Sequence, residues 1–254
     1  MISVSKNQHS SLVNIIRYGG TYIGAVIGAG YATGQEVLQF FVGYGYKGII
    51  GAILAGLLFS VFGVLFMELG HKLQISNHKP VLTYLCGNFV GKLFDLIIVF
   101  FLFGVYTIMI AGGGAALNQY FGINLFVGKI IITAAVLVTL LLGFSSALTA
   151  LGITSQLIIG VTLTVSCIVI FSDFSGIRTA NEVLKHIDVA QATPFWWSSA
   201  VIYVSYCTIP TIPVLIAIGN TESNMDVIIK SGIFGGVALG AGILCLTLAL
   251  LSKL

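Results

Sequence analysis

Seven apolar runs, each near the length needed to cross ~30 Å of hydrocarbon as a helix, leave this chain few architectures to choose from. They cover residues 18–42, 48–69, 93–117, 127–144, 149–171, 195–218 and 231–251. Charged residues make up only 7% of the sequence and hydrophobic ones 57%, against roughly 25% charged in an ordinary soluble domain. The lipid bilayer is therefore the expected solvent. Only helices and closed barrels satisfy every backbone polar group there. A barrel needs short alternating strands, and the stretch 130–142 does not alternate. The expectation is an all-α polytopic membrane protein with about seven transmembrane helices.

The segment from Met1 to Arg17 is mostly polar. The run after it is too long for a signal-peptide core and has no obvious small-residue cleavage site, so the first helix is expected to stay. Cys86, Cys167, Cys207 and Cys245 are scattered without a CxxC pair and read as small packing residues. Lysine and arginine in the short loops favour the cytoplasmic face. With the N-terminus inside, Lys6, Arg17, Lys72, Lys79, Lys92 and Lys230 fall on that face, against Lys47, Lys129, Arg178, Lys185 and Lys253 opposite. Lys72, Lys79 and Lys92 share one connection, accompanied by His71 and His78. The expected placement is a multi-pass protein of the cell membrane with a cytoplasmic N-terminus. The connection 172–193 is then external, and Trp196 and Trp197 mark the outer interface. The net charge of +3 with no basic, aromatic-interleaved surface offers nothing for nucleic acid.

A retinal pigment needs a mid-membrane lysine on its last helix, but the last run has Lys230 before it and Lys253 after it. His9, His71, His78 and His186 all fall in loops or tails, which leaves no intramembrane metal or haem site to expect. No nucleophile elbow, phosphate loop or HExxH is present, so no catalytic residues, no metal and no cofactor are expected. The oligomeric state is left open.

What remains are irregularities inside two runs. The first contains "GAVIGAGYATGQE", residues 24–36, in which Gly28 and Gly30 bracket Ala29. Each glycine inside a helix costs about 1 kcal/mol relative to alanine, so the helix can open there. Gly20, Gly24 and Gly28, like Gly30 and Gly34, also follow the small-xxx-small spacing that lets membrane helices approach closely, and composition does not choose between the two uses. The second irregularity is "YVSYCTIPTIPVLIAIG", residues 203–219. Pro210 and Pro213 there lack amide hydrogens and disturb the carbonyls around Tyr206 and Cys207. Glu36 is the one ionisable side chain clearly within a run, and its cost in lipid makes it a functional candidate. It lies six residues beyond Gly30, ~9 Å along a helix, toward the outer mouth. Interrupted helices in corresponding positions of two halves point to a secondary transporter built on inverted repeats.

These interrupted first and sixth runs resemble those of the amino acid–polyamine–cation transporter superfamily, with its LeuT-type five-plus-five inverted repeat. More narrowly, "GAVIGAGYATGQE" followed by "YLCGNFVGKLFD" resembles the YkvI-like bacterial membrane proteins within that superfamily. The resemblance implies one transmembrane domain over 1–254, with a first five-helix repeat in 1–171 and the first two helices of an incomplete second repeat in 195–254. It implies that helices 1 and 6 are discontinuous, and that three of the ten core helices are not in this sequence. It places a small-molecule solute at Gly28, Ala29, Gly30 and Tyr31 of the first helix and at Tyr203, Ser205, Tyr206, Cys207 and Thr208 of the sixth, with Tyr106 and Thr107 as the opposite wall. Amides opening the outer half of the first helix suit a carboxylate, and carbonyls near Ala25 and Val26 suit a cation.

The coupling ion implied is sodium, held by carbonyls and hydroxyls such as those of Thr21 or Ser205, or a proton carried by Glu36. Asp95 is a weaker proton candidate that reads rather as an interface residue, and Glu68 with Lys72 reads as a local ion pair. The expected function is ion-coupled, symporter-like transport of a small amino-acid-like or zwitterionic solute by alternating access. The alternative is a membrane scaffold or sensor whose glycines serve packing only. No filter motif or charge ring supports a channel.

Overall fold

A computed structural model describes residues 2–28, 31, 34–74, 78–172, 175–187 and 189–254, with only the backbone described for 2–10, 144, 145, 175 and 178. Ala29 and Gly30, both expected at the solute site, lie outside the described residues. Nine α-helices are described: α1 (Ile2–Val26), α2 (Gln35–Phe40), α3 (Tyr46–Leu73), α4 (His78–Phe121), α5 (Leu125–Leu141), α6 (Phe144–Ser172), α7 (Ser175–Val183), α8 (Trp196–Thr221) and α9 (Met225–Leu251). A 3-10 turn, Val42–Tyr44, joins α2 to α3.

Five of these helices, α3, α4, α6, α8 and α9, are long and apolar enough to cross a membrane. The expectation of seven is corrected at two places. The run 127–144 becomes α5, whose 17 residues reach ~26 Å, short of the hydrocarbon thickness. The run 18–42 is divided: α1 takes up the polar N-terminal segment and stops at Val26, and the short α2 starts at Gln35. Gly34 caps α2 in the left-handed region at φ 75°, a conformation that costs a residue with a Cβ about 1–2 kcal/mol.

The interruption expected in the sixth run is not there. α8 runs unbroken through Pro210 and Pro213. Each proline removes a single amide, which releases the carbonyls of Tyr206 and Ile209. Packing on both sides holds the helix together: Ile212, Leu215 and Ile216 are buried, and the Thr211 hydroxyl donates to the Thr208 carbonyl at 2.8 Å.

The packed centre is formed by α1, α3, α8 and α9, which contribute Tyr22, Phe59, Tyr203, Leu239 and Ile243 to one buried cluster. α3 and α9 meet backbone to backbone, since a Cβ on Gly56 would stand 2.8 Å from the Gly240 Cα. α6 packs on α1, where the Ser155 hydroxyl donates to the Gly20 carbonyl at 2.6 Å and the Thr21 hydroxyl to Leu148 at 3.0 Å. α4 stands to one side of this centre. Its most apolar window is 6% buried, against 56% in α8. Gly87, at φ 77°, folds the foot of α4 back on itself, and Val81, Leu82 and Ile98 then pack on Ile212 and Ile216 of α8. His78 Nε2 reaches Asp95 Oδ1 at 2.9 Å and Lys79 Nζ reaches Asp95 Oδ2 at 3.2 Å across that fold. Asp95 is thus part of a local ion cluster. Glu68 and Lys72 pair at 2.5 Å within α3.

Candidate functional site

Where α1 stops, a cavity of about 440 Å³ opens between the end of that helix, Glu36 of α2, the middle of α4 and the proline turn of α8. That volume is in the range of small-molecule sites. One wall is the last turn of α1 with the residues after it, Gly24 to Gly28. The last described backbone bond of α1 runs from the Ile27 amide to Ile23 at 2.9 Å. The carbonyls of Gly24, Ala25 and Val26 therefore fall in the turn where a helix leaves its acceptors without intrahelical amides, at the negative end of its dipole.

Glu36 is seated by aromatic packing of α2 on α8. Phe40 lies 5.3 Å from the Tyr203 ring and 5.7 Å from Tyr206, Phe41 lies 5.1 Å from Tyr203, and the two tyrosines meet edge to face at 5.5 Å. The Ser199 hydroxyl adds a bond to the Phe40 carbonyl at 2.8 Å. Glu36 and Tyr206 then line the same cavity. α8 also supplies Tyr206, Cys207, Pro210 and Val214 to the lining. The opposite wall is apolar: Leu102, Val105, Ile108 and Met109 of α4, with Leu151 of α6. Their spacing of three and four residues marks one stripe of α4.

Of the residues expected from sequence, Ala25, Val26, Gly28, Glu36, Tyr206 and Cys207 come together at this cavity. Tyr203 is fully buried and outside the lining, packed against Phe40, Phe41 and Tyr206. Tyr31 is placed elsewhere. Its ring is buried against α9, where a Cβ on Gly242 would run into its hydroxyl. Tyr106 is likewise corrected: it is 42% exposed and does not line the cavity, because it sits one position off the Leu102–Val105–Met109 stripe. Thr107 is exposed and donates to the Phe103 carbonyl at 2.9 Å. Ser205 is rotated ~100° from Tyr206 onto the exposed face beside Val201 and Ile202, and donates to Val201 at 2.7 Å. Thr208 is buried with an unpartnered hydroxyl and is not at the lining. Thr21 is committed to the α1–α6 contact and offers no sodium ligand at the break.

The two uses of the first glycine series divide along the chain. A Cβ on Gly20 would meet the Gly152 carbonyl of α6 at 3.0 Å, and one on Gly24 the Leu151 carbonyl at 2.7 Å. Among the described residues, Gly28 faces only the Met109 methyl at 2.8 Å, across the cavity. Sequence reasoning missed the α4 stripe, Leu151 and Val214. Apolar residues in an apolar run carry no mark of which side they face.

No family model matches the chain, and no solved structure matches it. It is similar to the uncharacterized membrane protein YkvI of Bacillus subtilis (strain 168), with 27% identity over 224 residues, 86% of this chain and 61% of that protein. It is also similar to the uncharacterized protein YyaD of the same organism, 39% identical over 98 residues, 39% of this chain and 28% of that protein. The chain therefore spans about three fifths of YkvI's length and less of YyaD's. With five helices of spanning length, this is a membrane protein, similar to YkvI along most of its length.

Proposed function

We propose that this chain belongs to a secondary transporter that carries a small amino-acid-like or zwitterionic solute by alternating access, driven by sodium or protons. The observation that carries the reading is the cavity at the break after α1, bounded by the carboxylate of Glu36. A broken helix that meets a water-sized space beside an ionisable group is what solute and ion sites in transporters are built from, because irregular backbone is tolerated at depth only where it lines a cavity. The proposed fold is the LeuT type, with a cytoplasmic N-terminus and part of the ten-helix core lying beyond this chain. Carbonyls of Ala25 and Val26 hold the coupling cation, or Glu36 carries the proton. Gly28, Tyr206 and Cys207 bound the solute. No covalent step is involved.

A scaffold reading keeps one specific support: Gly20 and Gly24 are packing contacts against α6. The two readings part in reconstituted vesicles on a solid support, where jumps of neutral amino acids or amines are applied under imposed sodium or proton gradients. Transport gives solute-dependent transient currents that Glu36→Gln and Gly28→Leu abolish while both variants fold. A correctly folded protein that gives no current with any solute contradicts transport and favours the scaffold.

A further inference from the structure

The polar groups of the cavity are nearly all hydrogen-bond acceptors. Among the described residues lining it, the only charged side chain is Glu36, and no lysine, arginine or histidine is present. Tyr206 lines the cavity with Glu36, and Tyr203 is buried outside the lining. The last-turn carbonyls of α1 add the negative end of a 25-residue helix. Pro210 releases one more acceptor, the Tyr206 carbonyl. α2 has only six residues and carries the negative Glu36 in its own first turn, so its N-terminus offers no anion site.

We infer that Glu36 holds the ammonium of the solute, which makes the solute class a small primary amine with an aliphatic body, recognised without a carboxylate. This rests on the transporter reading and replaces its zwitterionic solute with a simple amine. An ammonium brings three donors and no acceptor, which matches a set of carbonyls and one carboxylate; a solute carboxylate in the same space would meet Glu36 with no cation among the described lining residues to offset the repulsion. The aliphatic body lies against Leu102, Val105, Ile108 and Met109, whose apolar wall faces the acceptors across the cavity. The sodium or proton then has to be carried apart from the solute's own charge, and Ala25 and Val26 are the remaining acceptors for a coupling cation.

The test uses three five-carbon probes of different charge on the purified full chain at neutral pH: n-pentylamine, norvaline and pentanoate, each titrated against the thermal unfolding midpoint. Pentylamine is expected to raise the midpoint saturably. Norvaline should need at least tenfold more solute, and pentanoate should give no shift. Glu36→Gln should weaken the pentylamine effect at least tenfold and Glu36→Asp should keep most of it, with the unliganded midpoints of both variants showing that they fold. A stronger response to norvaline or pentanoate overturns the inference, as does no response to pentylamine, or a pentylamine response that survives Glu36→Gln unchanged. Solute-jump currents separate the two failures. Currents with norvaline but not pentylamine sink the amine assignment and keep the transporter, whereas currents with no solute at all sink both.

Discussion

Glu36 combines the features that make one residue expensive in a membrane: a carboxylate, partial burial and a lining position beside the last-turn carbonyls of α1. Its importance was legible in sequence because an ionisable group in an apolar run stands out whatever its orientation. Tyr106 and Ser205 were not legible in the same way. In water the polar face of a helix reveals which side is buried, but lipid is as apolar as a protein core, so α4 and α8 carry no phase to read. At the same scale, glycine separates site from packing. Gly24→Leu drives a side chain into the immobile Leu151 backbone and should lower stability by about 1–3 kcal/mol or more. Gly28→Leu meets only the flexible end of Met109, so its thermal midpoint should stay near the parent's while solute response is lost. Melting curves of the two variants with and without solute check both outcomes, and equal destabilisation would remove the distinction.

Helix breaks are decided by more than the residues that weaken a helix. The glycine-rich first run did open, because the residues after Val26 face a cavity and α2 is held by its own packing on α8. The proline-bearing sixth run did not open, because α8 is buried between neighbours that hold it on both sides of Pro210 and Pro213. Sequence supplied the weak points and tertiary packing chose between them. The far end of α8 is tied to α1 and α3 in a similar way: Glu222 accepts from Asn14 Nδ2 at 3.0 Å, and its backbone carbonyl contacts the His71 ring at 2.8 Å. In α4 the deciding residue is Gly87. Its φ of 77° is unfavourable for any side chain, so Gly87→Ala should cost about 1–2 kcal/mol and loosen the fold-back that joins His78 and Lys79 to Asp95. A lowered midpoint together with faster amide exchange over residues 78–86 is the expected result, read by exchange mass spectrometry.

For the molecule as a whole, the number of long apolar runs told the solvent and the helical class but overstated the spans, since length in sequence does not show where a helix is cut. The uneven burial of α4 and α8 was also hidden, because lipid-facing and protein-facing residues are drawn from one apolar set. The positive-inside rule predicts a cytoplasmic N-terminus. Lys72, Lys79 and Lys92 gather at one end, and an N-terminal tag should be cleaved by protease added to inverted, but not right-side-out, membrane vesicles. The most direct measurement concerns Gly28. A cysteine placed there, with Cys86, Cys167, Cys207 and Cys245 replaced, is exposed to a membrane-impermeant thiol reagent, with Tyr106→Cys as the lipid-facing control. A solute cavity at the helix break gives labelling at position 28, slowed by n-pentylamine or norvaline, and none at position 106. A position 28 that stays unlabelled from both sides of the membrane, or reacts at a rate no solute changes, contradicts a solute site at the break.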